Sequence, residues 1–210
     1  MLGDKFDRMV TVATYETTDP TVDSQIVSLQ SAGADAFILA TDVKFAAQAI
    51  RKAYDIAWKP NPFFLVYGAS LVGAVTKAAG AEKATGIITS MFSKDPTDPA
   101  WQDDPGIREW RAFMARYLPE AELADPGYLA GYGLALTLMQ VLRQCGSDFS
   151  RENIMRQATS LHDLELPSLL PGIRINTSPT NYHPIRQMQL ARWTGTRWER
   201  FGDIIEGSGS

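Results

Sequence analysis

The sequence predicts an α/β fold built on a parallel sheet, and three observations carry that reading. Short β-rich or apolar runs alternate with helical stripes over the first ninety-odd residues. The segments between the runs are long enough to be crossover helices, which parallel strands require. Capping residues stand directly behind the strand candidates. In order, Met9 to Tyr15 is rich in β-favouring residues (Val10, Val12, Tyr15) and reads as a first strand. Asp19-Pro20 is a helix start, with Val22, Ile26 and Leu29 on one stripe and Gly33 as the stop. Ala36 to Ala40 is a short apolar run suited to a strand buried on both faces. Asp42 then caps a helix whose apolar face is Phe45, Ala46, Ala49, Ile50 and Ala53. Phe63 to Tyr67 is the third strand, Ser70 to Ala79 a helix, and Gly86 to Thr89 the fourth strand. Helices are expected on both faces of this sheet.

After Thr89 the pattern changes. Ser93 to Pro105 contains three prolines and suits a crossing between structural units. Helices are predicted at Gly106–Tyr117, Tyr128–Gln144 and Arg151–Thr159, the last capped by Ser150. The stretch Leu166–Pro184 carries four prolines around one short strand, Ile173–Ile175. Gln187–Trp193 and Arg197–Phe201 form a hairpin through Thr194-Gly195-Thr196. This region has three helices but very little sheet for them to cover. The closing residues 207–210, Gly-Ser-Gly-Ser, read as a tag or linker.

Composition narrows the function. The net charge of −4 arises from 20 basic and 24 acidic residues without long runs of one sign, so no basic stripe is built for nucleic acid. No apolar stretch approaches the ~20 residues of a membrane span. The single cysteine, Cys145, excludes an intrachain disulfide, and His162 and His183 lack partners at ligand spacing, so neither a metal nor a cofactor is expected. Gly68 to Gly73 follows a strand and opens a helix but has neither dinucleotide-loop nor phosphate-loop spacing. Its turn can still offer backbone N–H groups and the Ser70 hydroxyl to a small ligand, and Ser70 equally serves as a helix cap. Asp42 and Tyr67 directly follow strands, where open parallel sheets bind ligands; the first is also a plain cap, the second also half-buried packing. No nucleophile elbow, Cys/His pair or carboxylate pair at catalytic spacing is present, so the chain is expected to be no enzyme.

Several stretches together resemble the type I periplasmic-binding-protein family, in the branch of ABC-transporter receptors for leucine, isoleucine and valine. They are Thr18 to Leu29, Ser31 to Asp35, Lys44 to Ala53, Lys94 to Pro99, Gly131 to Ala135 and Leu170 to Asn176. The resemblance runs from about residue 3 to residue 205. It implies two Rossmann-like lobes that close on a ligand as a Venus flytrap, joined by three crossings. On that template residues 1–92 are the second, C-terminal lobe, 93–185 the mainly helical remainder of the first lobe, and 186–206 a return to the second. Most of the first lobe is then expected to lie before Met1, so the stripes on the helices at 128–144 and 151–159 need a second copy, a complementary fragment or repacking. The resemblance further implies Thr41, Asp42, Tyr67, Gly68 and Ser70 as ligand contacts and Met91 and Phe92 as the hinge. The ligand would be an amino acid or small carboxylate, the partner a membrane permease, and the parent protein's location the periplasm or another extracytoplasmic space. The family's amino-acid binders often place an acidic residue just after the third strand, whereas Tyr67 and Gly68 stand there. Two alternatives are an enzyme on a doubly wound sheet and an engineered fragment with no ligand function of its own.

Overall fold

Seven α-helices and five β-strands follow one another in a computed structural model that describes residues 5–66 and 77–207. They are α1 (Phe6–Met9), α2 (Asp23–Ser31), β1 (Phe37–Leu39), α3 (Val43–Asp55), β2 (Phe63–Leu65), α4 (Lys77–Ala79), β3 (Ile88–Met91), α5 (Pro105–Tyr117), α6 (Pro126–Gln144), α7 (Arg151–Ala158), β4 (Gln187–Trp193) and β5 (Trp198–Glu206). The strands form one sheet in the order β1-β2-β3-β4-β5. The first three are parallel, with Phe37 beside Phe63, Leu39 beside Leu65 and Leu65 beside Thr89. This is the α/β arrangement that helix-separated strands require. β4 and β5 form the expected hairpin, closed where Thr194 N–H donates to the Arg197 carbonyl at 3.0 Å. The chain divides into two compact units, residues 1–90 with 191–201 and residues 91–190 with 202–210. The backbone therefore passes between them three times.

In the first unit α3 buries Phe45, Ala46, Ala47, Ala49, Ile50 and Ala53, one face at helical spacing, and packs with α2 through Ile26 and Leu29. Gly33 stops α2 with a left-handed φ of 78°, a conformation that costs glycine nothing. Trp193 is buried, and its indole N–H donates to the Ala81 carbonyl at 2.8 Å.

Four expectations are corrected here. Residues 10–15 form no strand: Val10 is extended, but no ladder joins this segment to β1, the outermost strand of the sheet on that side. β-favouring side chains do not make a strand without a partner backbone. Helix α2 starts at Asp23 rather than at Asp19-Pro20, because the Asp19 carboxylate accepts from Glu16 N–H at 2.9 Å and closes a turn instead. Among the described residues, the sheet is also covered on one face only at β1. Phe37 and Leu39 are buried, while Ile38, which alternation turns to the opposite face, is 71% exposed. β3 begins two residues late, since Gly86, at φ 91°, belongs to the preceding turn.

In the second unit each of the three long helices has a side-chain cap. Asp104 caps α5 and Asp125 caps α6, both followed by proline in the first helical position, and Ser150 caps α7 as expected. The core gathers Ile107, Trp110 and Met114 from α5 with Leu129 from α6. Lys94 sits beneath it, 7% exposed, donating to both carboxylate oxygens of Asp104 at 2.9 Å. The strand expected at Ile173–Ile175 is reduced to an isolated bridge between Leu164 and Ile175, since Pro171 and Gly172 (φ 87°) bend the chain just before it.

Candidate functional site

The C-terminal end of β1 delivers the chain to Thr41 and Asp42, directly before α3. Helix α3 begins with backbone N–H groups that have no partner inside the helix. Asp42 supplies one: its Oδ1 accepts from Phe45 N–H at 3.2 Å, with Asp42 itself extended at φ −74° and ψ 171°. The Asp42 carbonyl accepts from Ala46 N–H at 2.9 Å and from the Thr41 hydroxyl at 3.0 Å. Thr41 is half-buried and Asp42 exposed. One carboxylate oxygen is thus committed to the helix, while the other, Oδ2, accepts nothing among the described residues.

A residue that the sequence suggests only as part of a strand completes this corner. The Tyr15 hydroxyl oxygen accepts from Asp42 N–H at 3.1 Å, and its ring lies 4.5 Å from that of Phe45. Lys44 spans the same corner, its ammonium donating to the Asp19 carbonyl at 3.3 Å and standing 4.5 Å above the Phe45 ring. Tyr15 and Asp42 are 27 residues apart, so no local pattern links them; only the fold brings the phenol to the cap. The corner is a carboxylate at a helix N-terminus, with the backbone N–H of the same residue held by a phenol oxygen. Such an arrangement can receive a cation or an ammonium group but holds no nucleophile with a base beside it.

Of the residues named from the sequence, Thr41 and Asp42 stand together, while Tyr67, Gly68 and Ser70 lie outside the described residues. Met91 is the last residue of β3 and is buried; Phe92 accepts from Leu170 N–H at 2.9 Å. The boundary between the two units falls at Ser90/Met91. Among the described residues no group of three His, Cys, Asp or Glu side chains is placed to hold a metal ion. No helix among them is long and apolar enough to cross a membrane.

The profile of one family, described as Periplasmic binding protein, matches residues 7–197. Among solved structures, a branched chain amino acid ABC transporter from Thermus thermophilus with bound valine is similar at a TM-score of 0.77 and 14% identity, over 95% of this chain and 53% of that one. A leucine binding protein from Thermotoga maritima is similar at 0.66 and 15%, over 94% and 52%. A fatty acid ABC transporter substrate-binding protein from Thermomonospora curvata is similar at 0.65 and 20%, over 92% and 49%. The chain therefore spans about half the length of these structures, and at such identities the likeness is one of fold. Comparison with curated proteins gives no match.

Proposed function

Since the chain belongs to the periplasmic binding protein family, we propose that it carries a ligand-contacting edge of the solute-binding component of an ABC importer. The ligand in this reading is a small amino acid, and the observation that carries it is the Asp42 carboxylate. It stands at the C-terminal end of a parallel strand, where open α/β sheets bind ligands. With Oδ1 held by Phe45 N–H, Oδ2, which accepts nothing among the described residues, takes a ligand ammonium in a charge-assisted hydrogen bond. Thr41, Tyr67, Gly68 and Ser70 complete the edge, the last two offering N–H and hydroxyl donors to the ligand carboxylate. No bond is made or broken. The work is closure around the ligand outside the cytoplasm, with Met91 and Phe92 absorbing the rotation, and presentation of the closed form to a membrane permease. The valine-bound and leucine-binding neighbours support an aliphatic amino acid.

One neighbour is a fatty-acid receptor, which favours a second reading with a ligand that has a carboxylate and no ammonium. Calorimetry with L-valine and with 3-methylbutanoate separates the two. The amino-acid reading predicts heat from valine alone, and a loss of about 1.5–3 kcal/mol of its binding in Asp42→Asn, the range for hydrogen bonds to charged groups. Equal binding of both compounds, unchanged by Asp42→Asn, contradicts it in favour of the carboxylate.

A further inference from the structure

Helix α3 lacks the side chain that would ordinarily close its own N-terminus. In a capping box the third helical residue, a Glu or Gln, accepts from the backbone N–H of the cap. Counted from the cap Asp42, that position in α3 is Phe45, whose side chain holds no acceptor. The Asp42 N–H is served from outside the helix instead, by the hydroxyl oxygen of the half-buried Tyr15 at 3.1 Å. The phenol is steered there by Phe45 itself, the two rings packing 4.5 Å apart and tilted by 56°. A glutamate at position 45 would bring a second carboxylate beside Asp42. The phenol supplies an acceptor without one.

The segment that carries Tyr15 is tied down on both sides. Lys44 Nζ donates to the Asp19 carbonyl and Gln48 Nε2 to the Pro20 carbonyl, each at 3.3 Å. Gln25 of α2 holds the other end, its Nε2 donating to the Thr14 carbonyl at 3.2 Å. Residues 14–20 thus form a strap along the start of α3, and Tyr15 is where the strap grips Asp42. We infer that Tyr15 is a positioning residue for ligand binding: its hydroxyl fixes the Asp42 backbone, and with it the carboxylate that meets the ligand ammonium. This rests on the reading of Asp42 as the partner of that ammonium. Two bonds hold Asp42 in place, Oδ1 to Phe45 N–H at 3.2 Å and its own N–H to Tyr15. Without the second, the main chain entering the helix regains freedom, and the ligand must bear the entropy of ordering the carboxylate again.

A double-mutant cycle of Tyr15→Phe and Asp42→Asn, read by calorimetry with L-valine, tests this. Tyr15→Phe keeps the ring against Phe45 and removes only the oxygen. Valine binding should weaken about two- to tenfold, the span of one neutral hydrogen bond. In the Asp42→Asn background the same change should add almost nothing, because no carboxylate is left to position. In the unliganded protein the Asp42 amide proton should shift upfield and exchange faster in Tyr15→Phe. Gln48→Leu cuts the strap at Pro20, leaves Tyr15 in place and should bind valine as the wild type does. Tyr15→Phe with wild-type affinity, beside a weakened Asp42→Asn, overturns the positioning role and leaves the reading of Asp42 standing. Equal losses from Tyr15→Phe in both backgrounds overturn it too, since the phenol then acts independently of Asp42. A loss in Gln48→Leu as large as in Tyr15→Phe assigns the effect to the strap as a whole and overturns the role of the hydroxyl. No valine binding by the wild type, or indifference to Asp42→Asn, contradicts the reading of Asp42 itself and removes this inference with it.

Discussion

Lys94 and Asp104 show how one ion pair ties a connection to a helix. Lys94 lies just past the end of β3, its N–H bonded to the Ser168 carbonyl at 2.9 Å and its ammonium 5.3 Å from the centre of the Trp101 ring. Burial pushes the Asp104 carboxyl up, but the Lys94 hydrogen bond, the Ile107 amide, the Lys94 charge and the Gly106 amide together hold it below its ordinary value of 3.8. A carboxyl depressed in the folded state contributes stability that is fully present above the unfolded value. That stability is lost as pH falls through the lower folded one. Asp104→Ala removes both the cap of α5 and the partner of a buried ammonium. Breaking a buried pair costs about 3–5 kcal/mol, and the 19% exposure of Asp104 sets the expectation at about 3 kcal/mol in urea unfolding at pH 7. Much of that loss should vanish when Lys94→Met accompanies it, since no unpaired charge then remains. At this scale the sequence was readable where one residue does one local job: Asp42 and Ser150 cap the helices expected of them. Asp104 and Tyr15 were not readable, because their roles depend on partners brought near by the fold.

At the scale of elements, helices were the more legible. An apolar stripe is encoded within one segment, so the starts of α5 and α6 lie within two residues of expectation. Strands depend on their neighbours, which is why residues 10–15 join no ladder and 173–175 keeps only a bridge. The helix interiors also record close approaches that no motif announces. A Cβ on Gly133 of α6 would stand 2.6 Å from the Oγ of Ser168, which is buried, and one on Gly106 of α5 would stand 2.3 Å from the Cβ of Pro167. In an exposed helix interior Gly→Ala stabilises by about 0.5–1 kcal/mol. Here overpacking, ~1–3 kcal/mol, reverses the sign. Thermal melts should therefore show Gly133→Ala and Gly106→Ala lowered, the latter more because a Cβ there meets the Pro167 ring and backbone rather than the end of a flexible side chain. A raised melting temperature in either variant would mean that the segment 166–168 packs less tightly against these helices than described.

For the whole molecule, the α/β class and the family were legible because alternation, caps and the order of several weak motifs agree along the entire chain. The ligand edge proposed above is indicated by the sequence only as a place. Its position after a strand follows from topology, while the chemistry it meets depends on side chains from several loops. The central claim is that the corner at Thr41, Asp42 and Phe45 meets a ligand ammonium. An ¹H–¹⁵N NMR titration of the labelled chain with L-valine tests it most directly, since shifts are read residue by residue even when binding is weak. The account predicts saturable shifts at the amides of Thr41, Asp42 and Phe45, strongly reduced in Asp42→Asn. Amides at this corner that stay fixed while valine shifts others, or that move equally in Asp42→Asn, would contradict it.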